Sequence, residues 1–311
     1  MRELELIAAI RAALGARGGR VVRSSGDDAA VVRARPFAVS SIDTVVEGTH
    51  FRRSTHRPAD IGWKALATAL SDIAAMGADP GEAFVALVLP GDFEDVLELV
   101  ASMEELAERT GTTIAGGDVA SGPALTVTVA VTGWADSQEA LVGRDGARPG
   151  DLVAVTGELG GSEVGRRHLE AGRRDGDLVG RHLRPQPRLA EGAALARAGV
   201  SAMIDLSDGL ATDAGHVGAA SGVQLVVRLE RLPRPPGVTA EEAASGGDDY
   251  ELLVTVPPER RTAAQEAARL TWIGEVVAAI PAGTDTSSTG PGLVLLGADG
   301  ARADLRGYEH A

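Results

Sequence analysis

Three features of the sequence predict a mixed α/β (α+β) protein of two domains. Short runs of Val, Ile, Leu and Ala, typical of strands, alternate along the chain with segments whose apolar residues recur at helical spacing. A length of 311 residues is enough for two domains of ordinary size. Residues 133–150 are rich in Gly, Asp and Arg and separate two halves that each mix strands with helices. We therefore expect domains over residues 1–135 and 136–311.

The first half begins with a helix pattern over residues 3–14. The apolar run Phe37-Ala38-Val39 then predicts a buried strand, which leads into an acid-rich loop at residues 40–51. Ligand-binding groups in α/β folds gather where strands end and loops begin, so this junction is the leading candidate for function. The same patterns predict a helix over 93–109 that is capped by Asp92, and strands over 83–89, 112–115 and 124–132.

The segment from residue 61 to residue 76 predicts a buried helix, with Asp60 as its cap. Its only charged residues are Lys64 and Asp72, so the helix is apolar on nearly all sides. Asp72 lies on a face of small side chains. Because an unpartnered buried carboxylate is very costly, Asp72 requires a cation or hydrogen-bond donors.

The second half repeats the alternation of strands and helices. Residues 281–292 predict a turn region rich in Gly, Ser and Thr. The other elements expected here are strands over 152–156, 203–204, 223–229, 252–256 and 272–277, and helices over 189–198, 210–220 and 259–270.

Composition and charge exclude several classes of function. Hydrophobic residues make up 44% of the chain and aromatic residues 3%, so the core must be built mostly from Ala, Val and Leu. A formal charge of −14 argues against nucleic acid or an anionic membrane as a partner. The absence of cysteine excludes disulfides and thiolate sites and fits a reducing cytoplasm. We find no signal peptide pattern and no apolar run of membrane-spanning length, and we expect a cytoplasmic protein.

Six aspartates define the candidate site. A Gly-Asp pair taken alone usually forms a turn. The six are predicted at strand–loop junctions or, for Asp72, inside a buried helix, so as a set they indicate a cluster. Clustered carboxylates repel one another unless cations lie between them, and hard oxygen ligands of this kind suit magnesium. The predicted site is a magnesium-dependent phosphate-transfer centre whose aspartates are Asp27, Asp43, Asp72, Asp118, Asp205 and Asp208.

Phosphate binding must rely on groups other than lysine. The chain has neither a P-loop nor a kinase-type glycine-rich loop, and Lys64 is its only lysine. Arg144 is the best-placed guanidinium for a bidentate phosphate contact. The sequence is equally consistent with Arg144 as an exposed arginine of the linker that has no such role. His50 is either a structural histidine or a substrate contact. Tyr308 is either a core residue or an aromatic side chain that stacks on a flat heterocycle.

The assembled segments resemble the thiamine-monophosphate kinase family along almost the full chain. VEGTHF (residues 46–51) and IDLSDGL (residues 204–210) are the most specific of them. The matching segments are GDDAAV (26–31), SIDTVVEGTHF (41–51), GWKA (62–65), SDIAAMGA (71–78), GGD (116–118), GRDGA (143–147), IDLSDGL (204–210), GGDDYEL (246–252) and GYEH (307–310).

The resemblance implies a fold like that of aminoimidazole ribonucleotide synthetase. The N-terminal domain would bind ATP and magnesium and join a second subunit in a barrel-like homodimer, and the C-terminal α/β domain would complete the site. The reaction implied is transfer of the ATP γ-phosphoryl group to thiamine monophosphate, in line, at a site with several magnesium ions. Val119-Ala120-Ser121 departs from the family pattern, in which a threonine and another polar or basic residue usually follow GGD.

The resemblance also implies a role for each site residue. Asp43, Asp72 and Asp208 would be catalytic. Gly117, Asp118, Arg144 and Ser207 would bind the nucleotide, and His50, Glu251 and Tyr308 would face thiamine phosphate. The implied metal ligands are Asp27, Ser41, Ile42 through its backbone carbonyl, Asp43, Asp72, Asp118, Asp205 and Asp208.

Three alternatives remain open. One is another ATP-dependent enzyme of the same superfamily, such as a purine-pathway cyclase or a selenophosphate synthetase, although the latter typically uses a cysteine or selenocysteine that is absent here. Another is a non-catalytic metal-binding dimerisation module. The third is a kinase on the same scaffold with a different small-molecule acceptor.

Overall fold

The computed structural model describes residues 3–25, 28–279 and 292–308. The chain divides into two compact units. Unit 1 comprises the described residues of 1–73, 78–138 and 183–185, and unit 2 those of 74–77, 139–182 and 186–311. Two short segments therefore belong to the unit formed mainly by the other half of the sequence. The division of roles between residues 1–135 and 136–311 stays a prediction.

Unit 1 is built on a four-stranded sheet in the order β3-β6-β4-β5, so that β3 and β5 are its edges. β3 pairs antiparallel with β6, β6 pairs antiparallel with β4, and β4 pairs parallel with β5. The elements of this half are α1 (Glu3–Ala13), β1 (Val21–Arg23), β2 (Val31–Val32), β3 (Phe37–Val46), α2 (Pro58–Ala75), β4 (Asp79–Leu89), α3 (Val96–Thr110), β5 (Thr113–Ser121) and β6 (Thr126–Ala135).

The helix predicted over residues 61–76 is buried, as expected, and its side chains Ile61, Trp63 and Leu66 are almost inaccessible. Asp60 does not cap it. α2 begins earlier, at Pro58, and Asp60 lies in its first turn, where its carboxylate pairs with Arg57 and Arg184. The predicted cap of α3 is also wrong, since Asp95 and not Asp92 precedes the helix.

Two predicted strand ends were wrong in a way that matters for function. Phe37 is 38% exposed, and the strand it begins continues to Val46, so residues 40–46 of the acid-rich segment lie inside β3 and only residues 47–51 follow it. β5 likewise continues through Gly116-Gly117-Asp118. Both strands lie at edges of the sheet, where polar or small residues are favoured on the free side. Because loops have a similar composition, the sequence pattern predicts a loop at these positions.

Unit 2 contains a mixed seven-stranded sheet in the order β13-β12-β9-β11-β7-β10-β8. The predicted bounds of β7, β10 and α6 are confirmed. Its elements are β7 (Leu152–Thr156), α4 (Gly161–Glu170), α5 (Asp177–Leu183), α6 (Leu189–Ala198), β8 (Ala202–Asp205), α7 (Leu210–Ser221), β9 (Val223–Arg228), α8 (Ala240–Ser245), β10 (Leu252–Val256), α9 (Arg261–Ala267), β11 (Leu270–Ala278), β12 (Leu293–Leu296) and β13 (Arg302–Ala303).

The core of unit 2 lies between this sheet and the helices, and Val153, Ile204, Leu225 and Leu253 are among its inaccessible side chains. Of the turn region predicted over 281–292, only Gly292 lies within the described residues. None of the helices in the described ranges is long and apolar enough to cross a membrane.

Candidate active site

The first group of predicted site residues lies on the β3 edge of unit 1. Side chains alternate along a strand, so Ser41 and Asp43 share one face and Ile42 points to the other. The Ser41 hydroxyl donates a hydrogen bond to the Asp72 carboxylate of α2, and Asp43 Oδ1 accepts one from the N–H of Thr44 at 2.8 Å. Three of the predicted metal ligands are therefore placed on β3 and the adjoining helix.

Ile42 is 69% exposed, on the face of the sheet that no described helix of unit 1 covers. Its side chain has no oxygen to offer a metal. Only its backbone carbonyl could take part, as the sequence predicts.

Gly117 and Asp118 lie on β5, at the opposite edge of the same sheet. Neighbouring strands are about 4.8 Å apart, so three steps separate β3 from β5 by roughly 14 Å along the sheet. Gly117 accepts no side chain, because a Cβ there would stand 1.9 Å from the backbone oxygen of Val85. The fold of this unit thus holds Asp118 apart from Asp43 and Asp72.

A cavity of about 590 Å³ opens beside Gly116 and Gly117 in unit 1. It is bounded by α1, α3 and the β4–β5 edge, and apolar side chains form most of its wall. The polar members of the wall are Arg11, Ser25, Asp28 and Asp118. Its volume is in the range of small-molecule sites. The sequence does not predict it, because most of its wall comes from α1, α3, β4 and β5, whose apolar residues show ordinary core patterns.

The second group of acids surrounds the start of α7 in unit 2. Asp205 is the last residue of β8 and is 4% exposed, and Asp208 follows in the loop. Asp213, on the first turns of α7, accepts the Asp208 N–H at 3.1 Å. Burial and, to a smaller extent, the charges of Asp205 and Asp208 raise the pKa of Asp213 to about 8, while the Asp208 N–H and nearby Arg144 oppose the shift. The structure thus brings Asp205, Asp208 and Arg144 together and adds Asp213, which the sequence reading missed.

The donor set can be tested against divalent cations. In the part of the chain that is described, no three Asp, Glu or His side chains form a ready-made metal site. Magnesium usually retains water and takes only one or two protein carboxylates together with substrate phosphates, so pairs of carboxylates are the expected arrangement. The mutual repulsion at Asp213 is what a bound cation would relieve. The residues present therefore fit magnesium. Asp27 lies outside the described residues.

Glu251 occupies a tightly paired position next to β10. It is 5% exposed and accepts hydrogen bonds from Thr156 Oγ1 at 2.6 Å and from Arg188 Nε and Nη2 at 2.7 and 2.5 Å. Gly157 leaves room for it, since a Cβ there would lie 2.0 Å from Glu251 Oε1. Arg188 was not singled out from the sequence, although its neighbours Pro185 and Pro187 mark a fixed backbone that could have drawn attention to it.

The three remaining predicted contacts differ in their surroundings. His50 Nδ1 accepts the N–H of Val46 at 3.0 Å, so part of its role is to close the turn after β3. Ser207 presents its backbone oxygen to the N–H of Asp248 at 2.8 Å. Tyr308 is 55% exposed, which excludes the alternative of a core residue.

The comparisons with known proteins agree with one another. Residues 26–135 match the N-terminal domain of AIR synthase related proteins, and residues 148–280 match their C-terminal domain. Thiamine-monophosphate kinase of Salmonella typhimurium is 40% identical over 278 residues, covering 82% of this chain and 84% of that protein. The enzyme of the same name from Escherichia coli K12 is 39% identical over 310 residues, covering 92% and 90% of the two chains.

Solved structures show the same relationship. Thiamine-monophosphate kinase from Stenotrophomonas maltophilia K279a superimposes with a TM-score of 0.82 at 33% identity, over 97% of this chain and 98% of that one. A structure described as AaThiL complexed with AMPPCP and TMP gives a TM-score of 0.76 at 30% identity, over 88% and 87% of the chains. The chain therefore is built on the two AIR synthase related domains and belongs to the thiamine-monophosphate kinase family.

Proposed function

We propose that this protein transfers the γ-phosphoryl group of ATP directly to thiamine monophosphate, giving thiamine diphosphate and ADP. The observation that carries the proposal is the group of repelling carboxylates around Asp208, with Arg144 close by. This charge arrangement suits cations and phosphates, and relatives 39–40% identical over most of the chain are named for this activity. AMPPCP, a nucleotide analogue, and TMP are both named in the structure of one relative.

The proposed reaction does not require a strong general base. A phosphate oxygen of thiamine monophosphate is already anionic near neutral pH and attacks the γ-phosphorus of ATP, while the bond from that phosphorus to the leaving ADP oxygen breaks. The difficulty is to hold two polyanions in line, which is a matter of charge neutralisation and positioning. Asp43, Asp72 and Asp208 would act as catalytic residues by this positioning, and Arg144 by a bidentate contact to phosphate.

Magnesium, when bound, would neutralise phosphate charge and orient the two substrates. Asp208 and Asp205 would hold it in unit 2, and Asp118 at the β5 edge. The Ser41–Asp72 hydrogen bond helps to orient the Asp72 carboxylate. We propose the full ligand set as Asp27, Ser41, the Ile42 carbonyl, Asp43, Asp72, Asp118, Asp205 and Asp208.

The apolar cavity in unit 1 supports a site for the base and ribose of ATP. Its wall is too poor in cations for phosphate, since Arg11 is the only basic residue among the described residues that line it. Asp118 stands at its border, where the nucleotide phosphates would leave it.

The cavity assignment can be tested with one substitution. Ala30→Trp would place an indole in the cavity from a loop position and should raise the KM for ATP at least fivefold, with the KM for thiamine monophosphate unchanged. Ala101→Trp is the matched control, because Ala101 is exposed on α3 and does not line the cavity. Equal KM values for ATP in the two variants would contradict the assignment.

The activity itself is tested with ATP, magnesium and thiamine monophosphate, with thiamine as the control acceptor. We expect thiamine diphosphate and ADP in equal amounts. The exposed Asp177 provides a control for charge removal: Asp177→Asn should retain the rate, whereas Asp43→Asn and Asp72→Asn should lose most of the turnover and keep the fold. Near-normal rates for the latter two variants would overturn the assignment. ATP consumption only with another acceptor would indicate a different kinase, and no consumption a binding module.

We further propose a homodimer that works in the cytoplasm, where ATP is supplied. One face of the unit 1 sheet packs on helices, and the other is uncovered. The uncovered face presents Ile42 and Phe84 together with threonines of β6. A second copy of this sheet, packed against the first, would cover these apolar side chains and supply the four further strands of a closed barrel.

A further inference from the structure

The chain near its C-terminus is docked on the loop that carries Asp208. The N–H of Tyr308 donates to the backbone oxygen of Asp208 at 2.8 Å. The N–H of Gly307 donates to the hydroxyl of Thr212, on the first turn of α7, at 3.1 Å. Two successive backbone N–H groups therefore bind one short stretch of unit 2, residues 208–212.

Asp208 is held from both sides by these contacts. Its carbonyl accepts from Tyr308, and its own N–H donates to the Asp213 carboxylate at 3.1 Å. With both peptide groups constrained, the direction in which the Asp208 side chain leaves the backbone is constrained as well. The position of Tyr308 and the orientation of Asp208 are thus linked through the hydrogen bond between their backbones.

Gly307 is the residue that permits the approach. A Cβ at this position would stand 2.0 Å from the Asp208 oxygen and 2.9 Å from Thr212 Oγ1. The first of these atoms is backbone and cannot rotate away. Any larger residue would push the segment off the loop, so the close docking depends on glycine here.

The ring of Tyr308 remains 55% exposed although its backbone is fixed. We propose that Thr212 and Gly307 are positioning residues, which hold the Tyr308 ring beside Asp208 so that one substrate molecule contacts both. This inference rests on the proposed function. Thiamine monophosphate has a flat cationic ring joined to its phosphate by a two-carbon linker, so groups that bind its two ends must be neighbours. A tyrosine ring suits the cation, and the Asp208 region suits the phosphate.

The first test compares Thr212→Val with Thr212→Ser. Valine keeps the shape of threonine but removes the acceptor for the Gly307 N–H, whereas serine keeps it. Loss of one such hydrogen bond predicts that Thr212→Val raises the KM for thiamine monophosphate by roughly three- to tenfold. We expect the KM for ATP and kcat to stay within about twofold, and Thr212→Ser to restore the wild-type value. Equal KM values in the valine and serine variants would overturn the proposal.

A double-mutant cycle separates positioning from a general structural role. If Thr212 acts through Tyr308, then Thr212→Val should add almost nothing once Tyr308→Ala has removed the ring. Independent, multiplicative effects of the two substitutions on the KM for thiamine monophosphate would refute the link.

Hydrogen exchange tests the docking without reference to activity. In the wild-type protein the amides of Gly307 and Tyr308 should be protected, and Gly307→Ala should abolish protection at both. Gly215→Ala is the matched control, because Gly215 lies on the same helix as Thr212 and has open space for a Cβ. Fast exchange at these amides in the wild type would overturn the inference. Protection in a protein that does not phosphorylate thiamine monophosphate would instead refute the proposed function alone.

Discussion

Replacement of Arg188 by methionine should destabilise unit 2 strongly. Methionine has a similar length and fills much of the same space, but it leaves the Glu251 carboxylate in a site that is 5% exposed without the two hydrogen bonds from the guanidinium. Only the bond from Thr156 Oγ1 would remain. The expected loss is therefore set by an unpaired buried charge and not by packing.

The magnitude follows from the exposure of the two partners. Removal of one member of a fully buried pair costs about 3–5 kcal/mol. The Arg188 side chain is 30% exposed, so water replaces part of the lost interaction, and we expect about 2–3 kcal/mol. The Arg188–Glu191 pair is longer, at 3.4 Å, and both of its side chains are about one-third exposed. Glu191→Gln should consequently cost under about 0.5 kcal/mol, which makes it the matched control.

Urea unfolding followed by hydrogen exchange of peptides from residues 152–156 and 252–256 measures unit 2 separately from unit 1. Arg188→Met should lower the unfolding free energy of these strands by the stated amount. Arg188→Met combined with Glu251→Gln should recover part of it, because the uncompensated charge is gone. If Arg188→Met is no more harmful than Glu191→Gln, or if the second substitution only adds to the loss, the reasoning is refuted.

Three other predictions follow from the geometry. Burial, together with the charges of Glu251 and Asp248, raises the pKa of Asp249 to about 7, although hydrogen bonds from the N–H groups of Gly160 and Ser162 oppose the shift. The native state therefore binds more protons than the unfolded state between about pH 4 and 7, and the free energy of unfolding falls as pH rises through this window. Asp249→Asn should flatten the dependence of Tm on pH between pH 5 and 8. An unchanged slope would contradict this. Ile42→Asp should halve the mass measured by light scattering if the uncovered sheet face joins two copies, whereas Leu97→Asp, exposed on α3, should leave the mass unchanged. Gly117→Ala should lower stability by about 1–3 kcal/mol in thermal unfolding, because its Cβ meets the Val85 oxygen, while Gly91→Ala, with open space, should be neutral.

The elements predicted correctly from the sequence share a simple property: their two ends are marked by strong local signals. Gly199 follows α6 in a left-handed conformation, and a Leu-Ser-Asp-Gly segment at residues 206–209 separates β8 from α7. β3 was misjudged because Ser41, Asp43 and Thr44 look like loop residues when their partners are unknown. They pair along their full length with β6, more than 80 positions away, and no local pattern reveals such pairing.

The site residues divide along the same line. The aspartates could be found because acids next to strands are rare and chemically distinctive. The prolines beside Arg188 indicate only a fixed backbone. The roles of Arg188 and Asp213 could not be predicted, because they arise from what surrounds these residues after folding: a buried Glu251 for one and the Asp208 N–H for the other. A sequence shows which residues carry charge, but tertiary packing decides which of those charges are shielded from water.

The pairing of basic side chains with buried acids bears on how a protein with a formal charge of −14 would bind polyanionic substrates. Its single lysine, Lys64, is 2% exposed within α2 and therefore cannot reach a phosphate without unfolding the helix core. Arg57, Arg184 and Arg188 are committed to the buried carboxylates of Asp60 and Glu251. These three arginines thus make two buried acids tolerable. Arg144 opposes the repulsion at Asp213 only in part, and under the proposed function a bound cation would relieve the remainder.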